Sequence, residues 1–490
     1  MPPLPPRGAF ENLRDWIAFL EREGELVRIQ EPVSRHLEIT EIADRVMKSP
    51  GGGKALLFER VEGSDVPVAI NLLGSKWRMS AALGVEDPGE ITEGVLALLD
   101  PKGVSTLWEK IKMLPKLKSL ADAKPVEVRS GPCQEVVMAD PSFERFPICT
   151  CWPLDGGPYI TLPMVFTRDP RTGRTNCGMY RIQIFDAKTA GMHWQIHHGG
   201  AHHHREAEAR GERIDVAVAV GCDPVSIFAP VLPLPPDIDE MMFAGLIRQR
   251  PVKMVKCKTS DLLVPAEAEV VFEGHVVPGE RRTEGPFGDH TGFYSLAEPY
   301  PVFHLTAVTH RRDPVWCTTI VGRPPMEDCW MGAAIGDMFL PILRRQIPEL
   351  VDMFLPWAGV FHNCMIVSID KQYPGHARKV MHSIWGTGQM ALTKVIIVVD
   401  RDADVRDMDE VAWRAFGNID PSRDLEFAKG PIDVLDHATD IIGYGGKVGI
   451  DATRKWKSEG FPREWPQDIV MDAEVKERVD GKWGKLGLAP

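Results

Sequence analysis

Residues Asn176–His204 read NCGMYRIQIFDAKTAGMHWQIHHGGAHHH, and this stretch decides how the middle of the chain is built. Two arms in which apolar and polar residues alternate flank the turn-forming segment Asp186–Gly191, the pattern of a β-hairpin. In the second arm the period of two puts His193, Gln195 and His197 on one face and Trp194 and Ile196 on the other. One face is therefore polar and rich in imidazole. A solvated loop accounts for His202, His203 and His204, and a lone strand histidine is more often a hydrogen-bonding group than a ligand.

The same texture extends outward over about residues 125–322, where short apolar runs such as PMVFTRD, IDVAVAVG, AEVVFEG and VFHLTAV are separated by Gly, Pro and Asp. That is the signature of a sheet or barrel. HLTAVTHRRDPVWCTTIVG reads as a hairpin turning at Arg312–Pro314. Upstream, Leu13, Trp16, Ile17 and Leu20 recur at helical spacing until Gly24, followed by the strand-like ELVRI, a helix over Glu38–Lys48, the strands ALLFERV and VPVAINLLGS, and helical stretches ending in TLWEKIKMLPKLKSL. Downstream, MGAAIGDMFLPILRRQIPELVDMFL is helical, then strand MIVSI, helix HARKVMHSIW, strand KVIIVVD and helix MDEVAWRAF alternate as in an α/β unit. The chain is thus expected to be a multidomain α/β protein with domains 1–118, 119–322 and 323–490, its polar last forty or so residues wrapping over a neighbour.

A chain of 490 residues exceeds one ordinary core, and 44% hydrophobic with 26% charged residues is the composition of a globular protein. The net charge of -12 excludes a global positive field for nucleic acid or an anionic membrane. Nine scattered cysteines form neither a disulfide framework nor a zinc ribbon, no apolar h-region opens the chain, and no run suits a membrane span. A cytoplasmic protein is expected.

Two further segments carry ionisable groups at telling positions. In LPLPPDIDEMMFAGLIRQRP, Asp237 stands at a helix N-cap position with Glu240 three residues later, which a capping box explains; the same helix start can instead aim a carboxylate at a metal. In RRTEGPFGDHTG, Glu284 and Asp289 flank a tight turn, so their charges raise at least one pKa unless a cation lies between them. Ordinary turn acids are the alternative, and His290 is either a pocket residue or a turn residue.

Together these segments resemble the UbiD family of prenylated-flavin-dependent decarboxylases. The family pattern N-x-G-x-x-R, a hairpin and G-x-x-W-x-x-H is matched by Asn176–Arg181 and Gly191–His197, its proline-rich approach to a glutamate by PLPPDIDE, and its E-G-P-F-G-[DE] motif by Glu284–Asp289. PPMEDCWMG and GGKVGIDATRKW extend the likeness over nearly the whole chain.

The resemblance implies a flavin-reductase-like split β-barrel in the central domain and a C-terminal domain that joins copies into a dimer or hexamer. It implies Asn176, His197 and Glu240 as ligands of Mn2+ or Mg2+, an oxygen-rich set that suits such a hard ion, with K+ nearby. Cofactor contacts would come from Met179, Tyr180, Arg181, His193, Trp194, Gln195, His198 and Gly199, with Lys394 reaching the phosphate. Arg181, Glu284 and Asp289 would be catalytic. Asp289 would give the proton, which requires burial to raise its pKa from ~3.9 or a proton to be relayed to it. Asn176 and Arg181 lie an odd number of residues apart, so Asn176 is expected in a loop or across a bulge.

The reaction implied is reversible, non-oxidative decarboxylation of an aromatic or α,β-unsaturated acid, such as polyprenyl-4-hydroxybenzoate or a naphthoate in ubiquinone or menaquinone biosynthesis, with a flavin prenyltransferase as cofactor source. An FMN-dependent oxidoreductase and a non-catalytic flavin- or metal-binding assembly protein are the competing readings.

Overall fold

The computed structural model describes residues 2–99, 122–194, 199–235 and 238–487. The Lys-rich stretch ending at Leu120 lies outside them. Asn12 starts the first helix, Leu13–Arg22, by accepting hydrogen bonds from the Arg14 and Asp15 amides, and the helix buries Leu13, Trp16, Ile17 and Leu20. Beside it stands a four-stranded sheet ordered Leu26–Ile29, Ala55–Phe58, Val68–Ile70, Trp316–Cys317.

The last of those strands corrects the hairpin expected around Arg312–Pro314. Trp316–Cys317 pairs parallel with Val68–Ala69 instead of folding back on the preceding strand. The turn chemistry is real, but it sends the chain from the central sheet into the N-terminal one, and local sequence does not say which edge awaits.

The central sheet comprises β1 (Tyr159–Ile160), β2 (Pro163–Arg168), β3 (Thr175–Gly178), β4 (Ile182–Ile184), β5 (Thr189–Met192), β6 (Ile214–Val220), β7 (Val270–Glu284) and β8 (Glu298–His310). Their order is β1, β4, β5, β8, β7, β6, β2, β3, with the short strand Val136–Val137 added to β8. The arms expected to make a hairpin are β4 and β5, antiparallel with Ala190 opposite Ile184.

Asn176 lies within β3, not in a loop. The odd spacing to Arg181 is resolved by a change of strand: β3 pairs with β2 at one end of the sheet, and β4 pairs with β1 and β5 near the other. Only Met179, Tyr180 and Arg181 join them, a reach of about 14 Å. The sheet therefore curls until its two ends approach, although among the described residues its ladder does not close.

Helix Glu327–Gln346 carries the chain onward. Its first half puts Met331, Ala334 and Met338 into the core shared by the N-terminal and central sheets, and its second half puts Leu340 and Leu343 into a separate core. That second core lies against a five-stranded sheet ordered Leu350–Phe354, Cys364–Ile369, Val395–Asp400, Tyr444–Asp451, Leu425–Pro431, whose three middle strands are parallel. The segment ELVDMFL, read above as the end of a helix, is the first of these strands, because Ile347 and Pro348 end the helix and a short apolar run fits either period. Beyond it, Ala473–Trp483 forms a helix with no buried residue. Among the described residues no helix is long and apolar enough to cross a membrane.

Glu327 ties these parts together. Its buried carboxylate accepts hydrogen bonds from the Leu73 amide and the Thr319 hydroxyl, both at 2.6 Å. Glu327→Leu strands both donors in the interior, so chemical denaturation should show a loss of about 2–4 kcal/mol.

Candidate active site

β7 ends on Glu284, and the chain then forms a small hairpin in which Phe287–Gly288 pairs with Tyr294–Ser295. Asp289 sits at its tip. Gln183, on β4, holds the start of the turn by accepting the Gly285 amide at 2.7 Å. Arg181 comes from the crossing between β3 and β4, and this topology brings the three charged groups together.

They are 9% (Arg181), 0% (Glu284) and 6% (Asp289) exposed, so each charge depends on its neighbours. Arg181 meets Glu284 through Nε at 2.9 Å and Nη2 at 3.2 Å. Nη1 donates to Asp289 Oδ2, and Nη2 also donates to Ser295 Oγ at 3.0 Å. The guanidinium lies 4.8 Å over the Phe287 ring. A guanidinium has five N–H groups and these contacts use four, which among the described residues leaves one on Nη1 without an acceptor.

Burial alone pushes the Glu284 carboxyl up, but the His193 hydrogen bond and the Arg181 charge outweigh it and leave the group below its ordinary value. For Asp289, burial is likewise outweighed by the hydrogen bond and charge of His290 and by Arg181, and the carboxyl is held well below the usual range. Of the two routes by which Asp289 could give a proton, burial raising its pKa is excluded, and a relayed proton is left. Both of its oxygens face cations: Oδ1 takes His290 Nδ1 at 2.9 Å and the His290 amide at 2.7 Å. His290 moves the opposite way, to about 9, because Asp289 outweighs the cost of burial and Asp328 and Asp433 add to it.

His193 follows β5 directly. Its Nδ1 lies 2.9 Å from Glu284 Oε2, and burial pushes its pKa down against that contact. A neutral ring must then hold its proton on Nδ1, so that Nε2, buried and without a described partner, is an unused acceptor.

A second cluster lies along β3. Glu240 begins helix Glu240–Arg248 and is capped by Asp239, whose side chain accepts the Met242 amide at 2.8 Å; the capping residue is Asp239 rather than Asp237, which lies outside the described residues. Glu240 is thus the first helical residue, and its Oε2 accepts the Cys177 amide at 2.9 Å. Burial pushes this carboxyl up to about 7. Neighbouring Asn176 donates from Nδ2 to the Tyr180 hydroxyl at 3.3 Å, while a Cβ placed on Gly199 would overlap its Oδ1. Gln195, His197 and His198 lie outside the described residues. The Lys394 ammonium lies 2.6 Å from Asp436, one residue beyond Thr393, a cavity-lining residue.

Between these clusters and the C-terminal sheet lies a cavity of about 420 Å³, lined by Met179, Tyr180, Arg181, His193, Phe287, Asp289 and His290 from one side. Met331, Ile335, Phe339, Met353, Leu355, Phe361 and His362 line the other. Sequence reasoning placed none of this second wall. Part of it is built from strain, since Val360 and Phe361 have φ of 38° and 66°. Their turn packs the Phe361 ring 5.4 Å from His290 and directly on Gly332, where no side chain fits. Asp433, also at the cavity, holds His362 at 2.6 Å.

Family models of 3-octaprenyl-4-hydroxybenzoate carboxy-lyase match in three parts: the N-terminal domain over residues 17–98, the Rift-related domain over 124–324 and the C-terminal domain over 329–452. The chain belongs to the UbiD family. This makes it a carboxy-lyase, as the three-part match and the fold of UbiD-class enzymes agree. An uncharacterized protein of Archaeoglobus fulgidus is 51% identical over 480 residues, covering 98% of this chain and 99% of that one. The vanillic acid decarboxylase of Sedimentibacter hydroxybenzoicus, in closed form, superposes with a TM-score of 0.84 at 26% identity, covering 98% and 100% of the two chains. An evolved dimeric form of the UbiD-class enzyme HmfF from Pelotomaculum thermopropionicum, in complex with prFMN, gives 0.78 at 28% identity over 96% and 98%.

The electrostatics predict a pH signature. In Arg181→Met, Glu284 and Asp289 lose their shared cation, and the fold should lose about 3–5 kcal/mol at pH 7. The wild-type carboxyls, held low, contribute stability that is present above ~4 and lost as pH falls. Without the cation their pKa values rise, so the variant gains as they protonate. Denaturation midpoints of the two proteins should therefore converge from pH 7 toward pH 4.

Proposed function

We propose that this UbiD-family enzyme removes CO2, reversibly, from an aromatic or α,β-unsaturated carboxylic acid bound in the cavity beside Arg181, using prenylated FMN held by Mn2+. The observation that carries this is the buried Arg181 shared by Glu284 and Asp289 at the wall of a largely apolar cavity. The domains follow 1–118, 119–322 and 323–490, with the curled central sheet serving as a split barrel for the flavin.

The residues fit such a group. Glu240 is a carboxyl made reluctant to ionise by burial, which a divalent cation relieves, and Asn176 supplies an amide oxygen beside it, so Asn176, His197 and Glu240 would hold the metal. Nε2 of His193, without a partner among the described residues, can accept a hydrogen bond from the flavin. Met179, Tyr180, Arg181, Trp194, Gln195, His198, Gly199 and Lys394 complete the proposed contacts, with K+ nearby. HmfF in its dimeric form carries prFMN, which supports this choice.

When bound, the prenylated flavin supplies the electron sink that no protein side chain offers for an sp2 carbon losing CO2. The chain's own residues do the rest. The N–H on Nη1 of Arg181 that has no acceptor among the described residues can meet the substrate carboxylate and orient it toward the cavity's interior. The apolar wall of Met331, Ile335, Phe339 and Leu355 accommodates the ring and excludes water. Glu284 fixes Arg181 through two hydrogen bonds and so sets the approach. The candidate substrates are polyprenyl-4-hydroxybenzoate and a naphthoate of quinone biosynthesis. The enzyme works in the cytoplasm as a homo-oligomer and receives its cofactor from a flavin prenyltransferase.

Glu284→Gln should retain flavin and metal, read by absorption and elemental analysis, yet lose at least about 10²-fold in CO2 release from an accepted acid. Full activity in that variant rejects the assignment. Stripping the divalent ion with a chelator should release the flavin from the holoenzyme, and Mn2+ should restore its retention; a flavin that stays bound without metal contradicts the anchor.

A further inference from the structure

The proton that replaces CO2 has no source on Asp289 itself. One carboxylate oxygen accepts from Arg181, the other from the imidazole and amide of His290, and these three donors aimed at one carboxylate keep it ionised. His290 Nδ1 is 2.9 Å from Asp289 Oδ1, one hydrogen bond away, and its ring lines the same cavity.

We propose that His290 stores the proton for the reaction and passes it through Asp289, so that Asp289 is a conduit and not the reservoir. This rests on the decarboxylase reading above. His290 acts through Asp289 and does not itself touch the reacting carbon.

The step balances without a further reactant. As the C–CO2 bond breaks, CO2 leaves neutral and its bonding pair stays behind. The new C–H bond uses that pair and a proton from the Asp289 carboxyl, while the Nδ1 proton of His290 moves to Asp289. Neutral His290 then takes a proton from water. In the carboxylation direction the same route runs backwards and His290 receives the proton.

The surroundings of His290 suit a store. Asp289 faces Nδ1, and Asp328 and Asp433 from the C-terminal side add negative charge, against the positive charge of Arg181 beyond Asp289. Asp433 is itself paired with His362 at 2.6 Å, and Asp328 has a buried oxygen, Oδ1, without a described partner. The uncharged Phe361 ring packs against the imidazole at 5.4 Å and fixes its plane. These groups raise His290 to about 9, so it is protonated at neutral pH while Asp289 is not.

The test compares wild type with His290→Asn, which keeps a donor beside Asp289 but has no proton to give. Holoenzyme activity should fall on the alkaline side of the wild-type profile with an apparent pKa near 9. In the variant that limb should vanish, and kcat at neutral pH should drop about 10²-fold with KM and flavin retention unchanged. A variant with wild-type kcat and the same alkaline limb overturns the proposal.

Because the variant can fail to fold, wild-type protein labelled with 13C at the histidine rings is titrated independently by NMR, without substrate. His290 should remain an imidazolium to about pH 9 and titrate lower in Asp289→Asn. A neutral His290 at pH 7 overturns the proton store alone. A wild-type holoenzyme that releases CO2 from no acid overturns the decarboxylase reading with it.

Discussion

The site depends on one buried guanidinium. Arg181 is held in the interior by Glu284 on one side and Asp289 on the other, and its charge joins His193 and His290 in keeping the two carboxylates ionised. The three groups come from elements far apart in sequence, so their meeting specifies how β4, the end of β7 and the hairpin after it must sit. A charge cluster of this kind adds little net stability, and it fixes geometry where an apolar core would tolerate several packings.

The scaffold explains how that cluster faces a cavity. The short crossing through Met179–Arg181 forces the central sheet to curl, which turns Arg181 inward at the join. The long helix Glu327–Gln346 then spans two cores and brings its apolar face over the opening. The wall it forms is completed by the strained turn at Val360–Phe361, whose backbone persists because Gly332 leaves room for the Phe361 ring. The buried charges thus sit on the central sheet and its hairpin, and the apolar groups of the opposite wall on the helix and the C-terminal part. A family that handles different acids can vary the second without disturbing the first.

Much of this was legible in the sequence, for stated reasons. Alternation around Asp186–Gly191 gave the β4–β5 hairpin, and the motif match brought Arg181, Glu284 and Asp289 together although more than one hundred residues separate the first from the others. What escaped was whatever depends on a partner not encoded locally. The strand Trp316–Cys317 joins a distant sheet, ELVDMFL fits two periods, and Asn176 sits in a strand because the chain changes strands after it. Sequence left open whether burial raises Asp289 or a proton is relayed to it, because the second cation, His290, read equally as a turn residue. The distal cavity wall carries no motif at all; Phe361, His362 and Asp433 are ordinary residues until the fold places them.

The central claim is that a metal-anchored flavin lies in this cavity against Arg181. Anomalous diffraction at the manganese edge, from crystals grown with prenylated FMN and Mn2+, addresses it most directly. The account predicts one peak within about 2.5 Å of oxygens from both Asn176 and Glu240, with the flavin ring in the cavity beside Arg181 and His193. A manganese peak away from those two residues, or a flavin lying outside the cavity, would contradict it.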